Sequence, residues 1–200
     1  MSDTLASALW GGDYMLSLAA AGCGGINLHG GSRNILRAAL GNHLPGEHVA
    51  NESSDTKGGY YTPIAGEVDY GFRARPLFYG MLLANQFADT EMKDVALTIR
   101  NINVTAYAGK IRNEWRIAIF NKDPEKDLDL TIDLSEPCKS VNVWRLEGPA
   151  INATENVSLA NAVINSNLSW IPNTEEKCGV KNNQCRLIVS KSSAALLFLK

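Results

Sequence analysis

Apolar residues recur at Leu5, Ala8, Leu9, Gly12, Met15, Leu16 and Ala19, the three-and-four spacing of one helical face, and predict an amphipathic helix from Asp3 to Ala21. Asp3 or Ser2 is placed to cap its start and Gly22 its end. The following residues, Ile26–Leu28, read as one short apolar strand that runs into a polar, glycine-rich tip at His29-Gly30-Gly31. A lone strand has two edges to cover, and no parallel partner is near it in the sequence. From Ser32 to Thr62 the pattern breaks up, with a helical turn expected over Arg33–Leu40 and loop chemistry at Gly41–Gly46 and Lys57–Gly59. This stretch closes on Tyr60 and Tyr61, which return two aromatics toward the strand tip. Arg75-Pro76 then opens a second helix, proline serving at a first-turn position, with a buried stripe of Leu77, Gly80, Met81, Ala84 and Phe87.

After Asp89 the period changes to two. Val95, Leu97 and Ile99 alternate with polar or small neighbours, and Leu128, Leu130, Ile132 and Leu134 alternate with Asp127, Asp129, Thr131 and Asp133. Further strands are expected at Val104–Ala108, Trp115–Phe120, Val141–Leu146, Arg186–Val189 and Ala194–Leu199. Short strands separated by Asn, Asp, Gly and Pro turns predict an antiparallel β-sandwich of ~110 residues. The boundary falls near Thr90, so residues 91–200 carry a core of their own. Residues 1–90 do not, because a helix, one strand, a long loop and a helix leave sheet edges and helix faces uncovered.

Composition narrows the class. The chain has 200 residues, 45% of them apolar and 20% charged, which describes a globular protein of one or two domains. A net charge of -2 offers no electrostatic case for nucleic acid or an anionic membrane surface. No apolar run approaches the roughly 20 residues of a membrane span, and Met1-Ser2-Asp3-Thr4 does not begin a secretory signal. Cys23, Cys138, Cys178 and Cys185 lack the paired spacing of a zinc site, so no metal is expected. Cys178 and Cys185 flank a polar loop that suits a local disulfide, with Cys138 a competing partner; Cys23, among Ala and Gly, reads as a small buried thiol. Asn51, Asn103, Asn152, Asn156 and Asn167 each open an N-x-[ST] triplet, which leans toward a secretory route.

Several stretches resemble the heparanase-like β-glucuronidases of glycoside hydrolase family 79. S-D-T-L-A-S-A-L-W-G-G-D-Y-M-L-S-L-A-A-A-G-C-G-G-I-N-L-H-G-G at Ser2–Gly31 is similar to that family's seventh barrel helix and eighth strand. Y-Y-T-P-I-A-G at Tyr60–Gly66 and R-P-L-F-Y-G-M-L-L at Arg75–Leu83 resemble the loop and last helix that follow. A-I-F-N-K-D at Ala118–Asp123, V-N-V-W-R-L-E-G-P-A at Val141–Ala150 and S-S-A-A-L-L-F-L at Ser192–Leu199 resemble its C-terminal β-domain. The resemblance implies a fold that is α/β plus all-β, with residues 1–90 a C-terminal fragment of a (β/α)8 barrel (helix 7, strand 8, helix 8) and residues 91–200 an antiparallel β-sandwich domain.

The implied activity is that of a retaining β-glucuronidase that releases terminal β-linked glucuronic acid, using two glutamates about 5 Å apart and no cofactor. Its partner is a glucuronic-acid-containing carbohydrate, and the parent protein is implied to be secreted. The nucleophile would lie just before the residues matching Ser2-Asp3-Thr4 and the acid far earlier. Glu47, Glu52 and Glu67 match neither position, so no catalytic role is carried over, and activity is expected to need the upstream barrel segment. What carries over is a wall of the sugar site: His29 with Gly30 and Gly31 at the strand tip, where backbone can approach closely, and Tyr60 and Tyr61 beside it.

Plainer readings stand beside these. His29 can bond backbone at a strand end, and the tyrosines can pack a loop. H-G-G also matches the oxyanion loop of lipase-like esterases, but no G-x-S-x-G elbow is present. Trp115, Trp144 and Trp170 read as packing residues, Asn121-Lys122-Asp123-Pro124 as a hairpin turn, and Asp127–Asp133 as a solvated face. A non-catalytic carbohydrate-binding or structural β-module is the alternative to a glycosidase fragment.

Overall fold

The first periodic stretch folds as a helix, α1 (Leu5–Ala20), in the computed structural model, which describes residues 3–28, 62–67, 71–165, 167, 169–173 and 176–200. Neither Ser2 nor Asp3 takes the N-cap position; Thr4 does, in extended conformation and without a side-chain cap bond. The helix start is satisfied from outside, since the Leu5 and Ala6 amides donate to the carbonyls of Ala153 and Ile151 at 2.8 and 2.9 Å. Gly22 ends the helix as expected. Its φ of 83° closes a Schellman turn in which the Gly22 and Cys23 amides donate to Ala19 and Leu18 carbonyls.

Residues 23–28 have no regular structure, so Ile26–Leu28 is not a strand here. An extended segment becomes a strand only where a neighbour pairs with it, and none does among the described residues. Two short strands instead form an antiparallel hairpin, β1 (Ile64–Glu67) and β2 (Gly71–Ala74). It leads through Arg75 into α2 (Pro76–Asn85), with proline at the first turn as the sequence predicts. Leu77, Gly80 and Phe87 of the expected stripe are buried, Met81 and Ala84 only partly, and Tyr79 and Leu83 are buried as well. The two helices lie side by side in the same sense. Asp3 sits beside Arg75, and a Cβ on Gly80 would stand 2.2 Å from the Ala8 carbonyl oxygen, so only glycine permits this approach.

The remaining strands are β3 (Glu91–Lys93), β4 (Val104–Ile111), β5 (Glu114–Asn121), β6 (Leu128–Asp133), β7 (Val141–Glu147), β8 (Ser158–Leu159), β9 (Lys177–Cys178), β10 (Val180–Lys181), β11 (Gln184–Val189) and β12 (Ser193–Leu199). One antiparallel sheet runs β3-β4-β5-β12-β7-β8, with β9 also on β7; a second runs β10-β11-β6. Val95–Ile99, expected as a strand, is unpaired: β3 ends at Lys93 and residues 94–100 have no regular structure.

The larger sheet is the middle of three layers. Ala118, Phe120, Leu146, Ala194 and Leu196 face the helices and meet Leu5, Ala8, Leu9, Leu16, Leu83 and Phe87. Ile119, Val141, Val143, Ala195, Leu197 and Leu199 face the smaller sheet and meet Leu128, Leu187 and Val189. Strand β12, buried on both sides, therefore needs its continuous apolar run A-A-L-L-F-L at Ala194–Leu199. Trp144 and Trp170 pack edge to face at 5.6 Å beside the helical layer, and Trp115 borders the other core, so all three are packing residues.

Asn121–Pro124 is not a hairpin turn. It crosses from one sheet to the other, and the fully buried Asn121 Nδ2 holds the crossing by donating to the Lys126, Val189 and Ser190 carbonyls. The acidic strand is exposed but not merely solvated, because Asp129 pairs with Arg186, Asp133 accepts from Gln184, and Asp127 accepts the Lys191 amide. Cys178 and Cys185 form a disulfide, with Cα atoms 6.2 Å apart. Cys138 is a free thiol, and Cys23, which follows the turn that ends α1, is free and exposed rather than buried.

Candidate functional site

Parallel packing of α1 and α2 brings their N-terminal ends together. At that end Arg75 Nε lies 3.5 Å from Asp3 Oδ2, with the Arg75 side chain only 4% exposed. Arg75 also donates its backbone amide to Pro63, which ties the junction to the start of the β1–β2 hairpin, beside the fully buried Thr62. Burial raises the Asp3 carboxyl above its ordinary value, and the charges of Arg75 and Arg73 oppose that rise without cancelling it. Burial likewise lowers the Arg75 guanidinium, with Asp3 opposing.

His29, Gly30, Gly31, Tyr60 and Tyr61, the residues the sequence nominates for a sugar wall, lie outside the described residues, as do Glu47, Glu52 and Asn51. Glu67 is the last residue of β1. The described flanks of the wall, residues 23–28 and 62–63, lead respectively away from the C-terminal end of α1 and into the N-terminal end of α2.

A second polar cluster joins helix to sheet. Asp13, on the sheet-facing side of α1, accepts from Thr105 Oγ1 at 2.5 Å, Tyr107 Oη at 2.7 Å and Lys122 Nζ at 2.5 Å. Burial, then the bond to and charge of Asp13, push the Tyr107 phenol above its usual range. All four groups are engaged with one another, so this is a structural lock with no vacancy for a substrate. The sequence contains a signal for it that pattern reading passes over: an aspartate next to Gly12 in an otherwise apolar helical stripe.

Two concave regions lie among the described residues. A groove of about 500 Å³ lies between the C-terminal halves of α1 and α2 and the segment at Cys23–Ile26, lined by Met15, Leu18, Ala19, Met81 and Ile26 among others, with no charged side chain. A cleft of about 600 Å³ opens between the two sheets, with Ile117, Ile119, Leu130 and Ile132 in its floor and Asp94–Ile99 along its rim. The first lacks the converging hydrogen-bond donors and acceptors that hold a sugar. No group of three or more His, Cys, Asp or Glu able to hold a metal occurs among the described residues, and no helix among them is long and apolar enough to cross a membrane. Asn103, Asn152, Asn156 and Asn167 are all exposed.

No family model matches the chain, and no curated protein does. Solved structures do. An arabinofuranosidase is similar at a TM-score of 0.52 and 16% identity, over 72% of this chain and 32% of its own. The GH51 arabinofuranosidase from Xanthomonas axonopodis pv. citri is similar at a TM-score of 0.51 and 15% identity, over 70% of this chain and 29% of its own. The thermostable GH51 alpha-L-arabinofuranosidase from Thermotoga petrophila RKU-1 reaches a TM-score of 0.50 at 15% identity, over 70% of this chain and 32% of its own. The chain thus spans about a third of the length of these enzymes. At such identities the likeness is one of fold, and the fold it shows is glycoside-hydrolase-like: two helices laid on an antiparallel β-domain.

Proposed function

We propose that this chain is the C-terminal part of a retaining glycoside hydrolase of the β-glucuronidase type, supplying one wall of the sugar site and the β-domain that braces it. The observation that carries the reading is the parallel pair α1 and α2. Parallel neighbours need a connection that returns the chain to its starting end, as successive helices of a (β/α) barrel do. Their shared N-terminal end, with Asp3, Arg73 and Arg75, is the end at which such a barrel meets its substrate. His29, Tyr60 and Tyr61 are the proposed contacts to its hydroxyls, and the two glutamates that perform the chemistry are supplied by a segment preceding residue 1. The parent is proposed to be secreted.

The similarity to arabinofuranosidases raises a second substrate class to test, the α-L-arabinofuranosides. A p-nitrophenol release assay separates the two. The 200-residue chain is expected to turn over neither p-nitrophenyl β-D-glucuronide nor p-nitrophenyl α-L-arabinofuranoside, while a protein extended upstream by the barrel segment cleaves the glucuronide. Cleavage of the arabinofuranoside alone would replace the substrate assignment. Turnover by the 200 residues themselves would overturn the division of labour and turn attention to Glu47, Glu52 and Glu67.

A further inference from the structure

Strand β6 bonds β11 along one edge and nothing along the other among the described residues. Every second residue of Leu128–Asp133 thus points a backbone donor and acceptor outward from that open edge, in the plane of the smaller sheet. Asp94–Ile99 lines that same cleft. It carries strand periodicity, Val95, Leu97 and Ile99 on one face and Ala96, Thr98 and Arg100 on the other, yet makes no backbone hydrogen bond in the described structure. Val95 and Leu97 are 39% and 40% exposed beside a floor of isoleucine and leucine.

We infer that Val95–Ile99 is a strap whose seat is the open edge of β6, where it adds a fourth strand to the smaller sheet and closes the cleft. The fit is chemical at each position. Five residues span roughly 16 Å, close to the length of the six-residue β6. With Val95, Leu97 and Ile99 turned inward they join Leu130 and Ile132 over Ile117 and Ile119. The outward face then sets Arg100 on the side of the sheet that carries Asp129 and Asp133. An open edge and an alternating, unpaired segment are each costly alone, and pairing removes both costs. The inference is independent of the substrate proposed above.

Backbone NMR of the full 200-residue chain tests it. Cross-strand NOEs between residues 95–99 and 128–133, with slow exchange at both sets of β6 amides, are expected. Leu97→Asp is expected to speed exchange at the outer β6 amides at least tenfold while those bonded to β11 stay protected. Should that variant fail to fold, Leu97→Pro and Thr98→Pro each remove one strap donor without placing a charge in the cleft, and because neighbouring amides point to opposite edges one of the two is expected to give the same selective loss. Fast exchange at the outer β6 amides of the parent chain, without those NOEs, would overturn the strap. So would protection that grows with concentration alongside a dimer on size exclusion, which would assign the edge to a second copy.

Discussion

Asp13 gathers a hydroxyl, a phenol and an ammonium group from two strands onto one helix position, with Lys122 Nζ and Tyr107 Oη within 2.7 Å. Removing the carboxylate leaves part-buried donors unanswered, so Asp13→Ala is expected to cost about 2–4 kcal/mol in urea unfolding, and Asp13→Asn less, because one acceptor oxygen survives. Asp3 makes a different prediction. Its carboxyl is raised above 3.8 chiefly by burial, so the folded chain holds that proton more tightly than the unfolded chain. Stability from this group is therefore present at pH below the ordinary carboxylate value and is lost as pH rises through the folded value. Asp3→Asn removes the titration: its stability relative to the parent chain, read from urea midpoints, is expected to be more favourable at ~pH 7 than at ~pH 3. An unchanged difference across that range would mean that the Arg75 charge fully compensates the burial.

The contact between α1 and α2 depends on missing side chains, and at Gly80 the neighbouring atoms are backbone. Gly80 faces the Ala8 carbonyl oxygen and the Gly12 amide, 2.2 and 3.0 Å from where a Cβ would stand, and both are backbone atoms that no rotamer change can move. Gly80→Ala is expected to destabilise the chain by about 1–3 kcal/mol in urea or thermal unfolding, although alanine is the better helix former. A neutral or stabilising result would show that the helices slide apart freely, and with it that their registry does not matter. The strand β12 teaches the complementary lesson, since its two faces serve two cores and neither Leu196 nor Leu197 has a solvent side to which it could be turned.

The helices and the larger sheet share one core, and loop carbonyls at Ile151 and Ala153 take up the first amides of α1. A separation at residue 90 would therefore strip Phe120, Leu146 and Leu196 of their cover. Residues 91–200 expressed alone are expected to fold but to bind a hydrophobic dye and self-associate on size exclusion, whereas the 200-residue chain does so less. Much of this architecture is legible without coordinates. Periodicity located both helices to within about two residues and six of the strands in part, and loop chemistry favoured a Cys178–Cys185 bridge while leaving Cys138 as a rival partner, because apolar spacing, helix-ending glycine and helix-opening proline act within a few residues of themselves. The tertiary structure alone decided the rest. Ile26–Leu28 and Val95–Ile99 have strand sequences and no strand, since pairing is a property of two segments and their apolar pattern describes only one. Asn121 and Asp13 become anchors only once strands distant in sequence deliver their partners. The same reason explains why the sequence could nominate His29, Tyr60 and Tyr61 for a sugar wall while Arg75, whose sequence role is merely to precede a proline, emerged only when folding set it against Asp3.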